Sequence, residues 1–294
     1  MLPDVDRPQV VLDDAWTYFL SQQRVPTSVL YHYTSKSALL NILKTKRMWA
    51  TDLRFMNDPE ELEYSLKVIE SVIDSTALRQ RDSELALWLM FFKRQLRDVI
   101  AKSTFYSISL CENADDREQW REYGINGDGF ALGWSVDSPH PEIPLRIGVV
   151  YDPEAQEQLV RRLIEIHLDS IRKEGDLREG VGLASASFAA GSLGILLNVS
   201  AANFKREKWS NEHEYRYIYQ SLHDVVPAGT VRRWRAAGPI NKPYIEADFS
   251  QALLRRVIVG RQNNRLWTAL WLRRTLKRNG HLTTDIYRSS IGMA

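Results

Sequence analysis

From Val181 to Phe204 the chain carries no charged side chain. A helix of that length and composition has to be hidden, either in lipid or inside protein, and the stretch is about long enough to cross a bilayer. Its polar content argues against lipid. Ser185, Ser187, Ser192, Asn198, Ser200 and Asn203 punctuate it, and Ala184, Ala186, Ala189, Ala190, Gly191 and Gly194 suit close packing against protein. The expectation is a buried core helix, with no membrane partner, around which the rest of the chain must build a cover.

The segments on either side supply one. Asp13 to Gln23 has amphipathic spacing and is closed by Pro26. Ser28 to Tyr33 reads as a strand, and Ser35 stands as an N-cap before the helical spacing of Leu39, Leu40, Ile42 and Leu43. Met48–Thr51 reads as a short strand, and Pro59 is placed in the first turn of a helix. Two helices fill 60–102, Thr104–Leu110 alternates as a strand, and Asp115–Tyr123 is a short helix. Further strands are expected at Phe130–Trp134, Leu145–Tyr151, Glu214–Tyr219, Tyr244–Ala247, Val257–Val259 and Thr284–Tyr287, with helices at Pro153–Lys173 and Asn263–Arg278. No repeat and no Pro/Gly/Ser linker divides the chain. The organisation expected is α+β: an N-terminal helical extension over 1–27, then a single domain over 28–294 with helical insertions near 60–102 and 153–204.

Charge and cysteine content narrow the function classes. A net charge of +2 is too small for a nucleic-acid binder working through bulk charge, although a local patch stays open. The single cysteine, Cys111, forms no intrachain disulfide and fits a reducing, cytoplasmic setting. Asp4, Asp6, Asp13 and Asp14 leave the first residues without the apolar core of a signal peptide. No HExxH, Walker A or GxSxG pattern occurs, and Gly127-Asp128-Gly129 precedes a strand, unlike a dinucleotide-binding loop.

Two separated motifs carry the chemistry. Tyr31-His32-Tyr33-Thr34 ends an apolar run, and Glu212-His213-Glu214-Tyr215-Arg216 opens one. Carboxylates at i and i+2 of a strand point to one face, where they raise each other's pKa unless a cation lies between them. Such a pair also suits a developing glycosyl cation. The plain readings stand beside these: His32 as a satisfied core histidine, and Glu212 and Glu214 as a surface cluster with Lys208 and Arg216. Met56-Asn57-Asp58-Pro59-Glu60 reads first as a turn and helix start. Ser107-Ile108-Ser109 puts two small hydroxyls on one strand face. In Gln119-Trp120-Arg121-Glu122-Tyr123 the guanidinium is either solvated or presented to a phosphate.

Taken in order, Leu30–Thr34, Trp49–Asp52, Met56–Glu60, Gln119–Tyr123 and Glu212-x-Glu214-x-Arg216 resemble the bacterial domain-of-unknown-function family 2971, over roughly residues 28 to 290. That family in turn resembles ADP-ribosyltransferases. The resemblance implies a split mixed β-sheet core and NAD as substrate, with no metal. By analogy it also implies a toxin, defence or stress effector. Residue by residue, His32-Tyr33-Thr34 is similar to the element that contacts the NAD ribose, with Tyr33 where glycine is usual. Ser107-x-Ser109 is similar to the strand supporting the nicotinamide pocket, and Glu212-x-Glu214 to the ribose-binding glutamate motif. Glu214 is then the carboxylate facing the ribosyl cation, Glu212 orients or deprotonates the acceptor and His32 binds ribose. Arg121 takes pyrophosphate, and Tyr33 or Tyr106 stacks on nicotinamide. Because isolated carboxylates are costly to desolvate, Arg121 or Arg216 is expected within pairing reach of Glu212 or Glu214. The acceptor, whether protein, nucleic acid, small molecule or water, is left open. Two other readings stand: a non-catalytic ligand-sensing or interaction module on the same fold, and a metal-dependent nuclease built on Asp58, Glu212 and Glu214.

Overall fold

The computed structural model describes residues 7–137, 145–174, 180–222, 225–226, 230–237, 240–263 and 266–292. Its strands are β1 Val29–Thr34, β2 Arg47–Asp52, β3 Ser103–Cys111, β4 Phe130–Ser135, β5 Leu145–Gly148, β6 Glu214–Leu222, β7 Arg233–Ala237, β8 Ile240–Asp248, β9 Leu254–Val259 and β10 Asp285–Arg288. Its helices are α1 Arg7–Ser21, α2 Lys36–Thr45, α3 Glu61–Arg79, α4 Ser83–Lys102, α5 Arg117–Glu122, α6 Pro153–Glu174, α7 Gly180–Ala201 and α8 Leu266–Arg278. The chain is α+β, with ten described strands in one mixed sheet.

Strand order is β10-β9-β4-β1-β3-β2-β8-β7, and β6 pairs with both β3 and β5. Among the described pairs only β9 and β10 run parallel. Period-2 alternation sorts the side chains to two layers. Phe105, Ile147 and Ile218 pack under α1, α3, α4, α6 and α7. Tyr106, Ile108, Leu110, Tyr215, Tyr217 and Tyr219 face the opposite way, with Leu39 and Leu43 of α2 and Leu272 and Leu276 of α8. A third cluster gathers Tyr31, Tyr33, Cys111 and Trp120 beside α5.

The uncharged helix α7 is buried on one side and exposed on the other. Leu193, Leu196 and Leu197 are inaccessible, whereas Leu183, Phe188 and Ile195 are exposed. The fully covered helix expected from composition is therefore covered on one face only. Within Gly182–Ala201 the helix is long and apolar enough to cross a membrane, with half of its most apolar window buried. Some of its polar side chains reach sideways to neighbours, while Ser187 and Ser200 donate back to Leu183 O and Leu196 O one turn earlier. Ser192 Oγ meets His167 Nε2 of α6 at 2.7 Å. Asn198 Nδ2 donates to Ser103 Oγ of β3 at 2.9 Å. Beyond the helix, Asn203 Nδ2 donates to Gln23 Oε1 at 3.1 Å.

Local signals placed several boundaries well. Ser35 Oγ accepts from Ala38 N and caps α2, and Asp116 caps α5 through Glu118 N and Gln119 N. Helix α3 begins at Glu61, so Pro59 precedes the helix instead of lying in its first turn. Strand β5 ends at Gly148, short of Tyr151. Gly129 is required by close approach: a Cβ there would lie 2.4 Å from Thr34 O at the end of β1.

Candidate functional site

The site lies where the sheet comes apart. Strand β3 is paired along its whole length to β6, from Ser103 opposite Leu222 to Cys111 opposite Glu214. Its other edge is shared by two strands that diverge. Strand β1 meets it at Tyr31 opposite Cys111, and β2 meets it at Thr51 opposite Ser107 and Asp52 opposite Tyr106. Ile108, Ser109 and Leu110 are left without a strand partner on that edge among the described residues. A cavity of about 630 Å³ opens there, of the size that takes a small-molecule ligand. His32, Thr34, Ser107, Ser109, Lys205, Glu212, Glu214 and Arg216 all line it.

His32 spans the gap, its Nδ1 lying 3.3 Å from Ser109 O. Burial, with a further push from the Arg235 charge, holds its pKa below the ordinary histidine value. A neutral ring that donates from Nδ1 to this carbonyl keeps Nε2 as an acceptor.

Glu212 and Glu214 meet, but not by lying at alternate positions of a strand. Residues 207–212 form a 3₁₀ turn, and His213 adopts a left-handed conformation with φ 44°. The strand begins only at Glu214. The carboxylates converge instead on a lysine that the motif does not contain. Lys205 Nζ pairs with Glu212 and lies 3.2 Å from Glu214 Oε2 and 3.9 Å from Glu61 Oε2. Arg216, 0% exposed, completes the brace. It donates to Glu214 Oε1 and Oε2, both at 2.9 Å, to Glu61 at 2.5 and 3.0 Å, and to Ala202 O at 2.8 Å. Such bidentate pairing is what a planar guanidinium suits.

This geometry separates the two acids. Burial pushes the Glu214 carboxyl up, but the Arg216 and Lys205 charges outweigh it and hold the group far below the usual carboxylate range. Glu212 moves the other way: burial and the neighbouring Glu214 charge raise its pKa, with Lys205 and Tyr123 opposing. Its side chain is 14% exposed. Tyr123 Oη donates to Glu212 Oε1 at 3.0 Å and accepts from Asn57 Nδ2 at 2.7 Å. Glu212, held by Tyr123 on one oxygen and Lys205 on the other, is thus the less acidic of the two, and Glu214 is a fixed charge inside the brace.

Several expected residues stand elsewhere. Arg121 is an exposed residue paired to Glu122 at 2.9 Å and Glu118 at 3.9 Å, outside the cavity wall. Tyr106 points into the opposite layer, where its hydroxyl accepts from Arg232 Nε at 2.6 Å. Tyr33 borders the cavity but is committed to holding α5. Its ring packs edge-on to Trp120 at 4.9 Å, and its hydroxyl donates to Asn113 O and accepts from Asp116 N. Neither tyrosine is placed to stack on a ligand. Asp58 is taken by Arg206 and Trp209, and the Lys205 ammonium fills the space between Glu212 and Glu214. The three acids of a metal nuclease are thus not presented together to a cation.

Lys205, Glu61, Tyr123 and Asn57 are site residues that no motif in the sequence marks as such. Of Gln119–Tyr123, Gln119, Glu122 and Tyr123 line the cavity and Arg121 does not. Lys205 had one signal, as the first charge after the long uncharged run.

Residues 119–217 match the family model for a protein of unknown function, DUF2971. That third of the chain holds Tyr123, Lys205, Glu212, Glu214 and Arg216, while His32 and the Ser107–Ser109 edge lie before it. No curated protein and no solved structure matches the chain.

Proposed function

We propose that the chain cleaves the nicotinamide–ribose bond of NAD, as an ADP-ribosyltransferase or an NAD glycohydrolase. The observation that carries this reading is the cavity in which a neutral His32 and the Glu212 carboxylate face a common space across the divided sheet. Loss of neutral nicotinamide leaves a cationic ribosyl centre, and the acid end of the cavity is suited to stabilise it. The five braced groups, Glu61, Glu212, Glu214, Lys205 and Arg216, carry one more negative than positive charge, which leaves that end net anionic when all are ionised. Glu212, with its raised proton affinity, takes a proton from the acceptor hydroxyl or water as it attacks the anomeric carbon. His32 Nε2 accepts a hydrogen bond from a ribose hydroxyl, and the Tyr123 hydroxyl keeps the Glu212 carboxylate in place.

Incubating the protein with NAD and following nicotinamide release tests this. Wild-type protein releases nicotinamide, and Glu212→Gln loses at least 100-fold of that rate, the low end for removal of a general base, with Tm nearly unchanged. NAD that stays intact with every acceptor offered, together with no heat of NAD binding, would sink the reading. One observation favours the alternative of a non-catalytic ligand-binding module: both oxygens of Glu214 are engaged by cations. Under that reading NAD or another ligand binds with measurable heat and leaves unchanged.

A further inference from the structure

The same cavity also carries positive charge on the β7–β8 side. Strands β7 and β8 form a hairpin in which Arg235 stands directly opposite Lys242, and both line the cavity. Like charges at directly opposed positions destabilise a hairpin unless an anion lies between them. Neither cation has a carboxylate partner among the described residues, whereas the neighbouring Arg233 takes Glu246 at 3.4 Å. Arg235 gives one nitrogen to Thr51 Oγ1 at 3.4 Å and leaves its buried Nε without a partner among the described residues. Thr51 lies directly opposite Ser107 on β3. Ser107 is buried, lines the cavity, and its hydroxyl also lacks a partner among the described residues. Donors that are buried and unspent carry a cost that a bound acceptor removes.

An aromatic surface adjoins these donors. Trp49 is 40% exposed on the cavity wall, with the Arg235 guanidinium 5.9 Å from its ring centre and Tyr244 tilted against it at 4.5 Å. A base and a phosphate joined through a sugar would meet a ring and a cation pair in that order.

We propose that Arg235, Lys242 and Ser107 form a phosphate subsite, and that Trp49 carries the base of a nucleoside diphosphate held there. Resting on the NAD reading, this assigns the adenosine diphosphate half to the β2–β7–β8 end and directs the glycosidic bond toward Glu212. It places the phosphate contacts in a hairpin, not in α5.

Calorimetric titration of ADP and of adenosine into the full chain tests the subsite, with Arg235→Gln, Lys242→Gln and Trp49→Ala as variants and Tm measured for each without ligand. The expected result is that ADP binds more tightly than adenosine. Each charge-removing variant loses about tenfold or more of the ADP affinity, with a ligand-free Tm equal to or above wild type because repulsion is relieved. Trp49→Ala weakens ADP and adenosine alike. No ADP binding by wild-type protein, or unchanged ADP affinity in both charge variants, overturns the proposal. The two readings fail separately. ADP binding that depends on Arg235 in a protein that never cleaves NAD keeps the subsite and removes the enzyme. NAD turnover with an unchanged KM in Arg235→Gln keeps the enzyme and removes the subsite.

Discussion

Replacing Arg216 by methionine would remove the guanidinium while keeping most of the side-chain volume. In the native fold that group is inaccessible and neutralises Glu214 and Glu61 with four of its five hydrogen bonds, the fifth going to Ala202 O. Without it three carboxylates, Glu61, Glu212 and Glu214, share the single ammonium of Lys205. Breaking one buried pair typically costs about 3–5 kcal/mol. With two acids orphaned, the upper part of that range applies, and it is a large fraction of the ~5–15 kcal/mol by which a domain is stable. At about 2–4 °C per kcal/mol for a domain of 150–250 residues, the expected fall in Tm is about 8–20 °C.

The pH dependence follows from the sign of the shift. In the native protein the Glu214 pKa is lowered from 4.5, so its pairing stabilises the fold above that value and the contribution fades as pH falls through the lowered one. In Arg216→Met only Lys205 is left to oppose burial and the pKa moves up, so the poorly compensated charge destabilises the fold at pH 7 and protonation relieves it. The Tm gap between the two proteins is therefore widest near neutrality and narrows as pH approaches 4.5 and below. Differential scanning fluorimetry across that range reads it directly. A gap of a degree or two at pH 7, or one that does not change with pH, would show that the brace is not what the distances imply. The triple variant Glu61→Gln, Glu214→Gln, Arg216→Met removes the charges together and should recover most of the lost Tm.

Tyr33→Phe deletes a hydroxyl that both donates to Asn113 O and accepts from Asp116 N, so Tm should fall by the equivalent of about 1–3 kcal/mol while ligand affinity is kept; a selective loss of affinity would restore a binding role to Tyr33. Gly129→Ala forces a Cβ to 2.4 Å from Thr34 O, and thermal melts should show marked destabilisation or failure to fold; a normal melt would mean that the turn relaxes without disturbing β1. Ser192→Ala leaves His167 Nε2 buried without its partner, so chemical denaturation should show a loss of about 1–3 kcal/mol. No change in midpoint would argue that another group satisfies the ring.

Elements with strong periodicity or clear caps, such as α2 behind Ser35 and β6 with its alternate tyrosines, were legible because local chemistry decides them. Strand β7 was not: Arg233-Trp234-Arg235-Ala236-Ala237 has neither a clean apolar alternation nor β-branched residues, and it forms by pairing with β8. The Glu212–Glu214 pairing was foreseen for the wrong reason, because one left-handed residue, His213, broke the strand geometry that the spacing suggested. Lys205 and Glu61 were invisible as site residues, since what makes them matter is a set of contacts across more than 140 positions of chain (205 minus 61 is 144). Arg121 misled because a guanidinium between aromatics looks the same whether it meets a ligand or its own neighbours.

The divided edge of β3 has a mechanical consequence. Nine residue pairs bolt β3 to β6, whereas one pair joins it to β1 and two join it to β2. The arm β10-β9-β4-β1 and the arm β2-β8-β7 therefore hang from a stiff central bar on two short joints, and swinging either arm disturbs few ladder hydrogen bonds. In ladder hydrogen bonds alone, the least costly deformation of the sheet is one that changes the width of the gap bridged by His32, and the packing of Trp134 against Phe249 between the arms opposes it. The single 3.3 Å contact from its ring to Ser109 O acts as a latch across that gap.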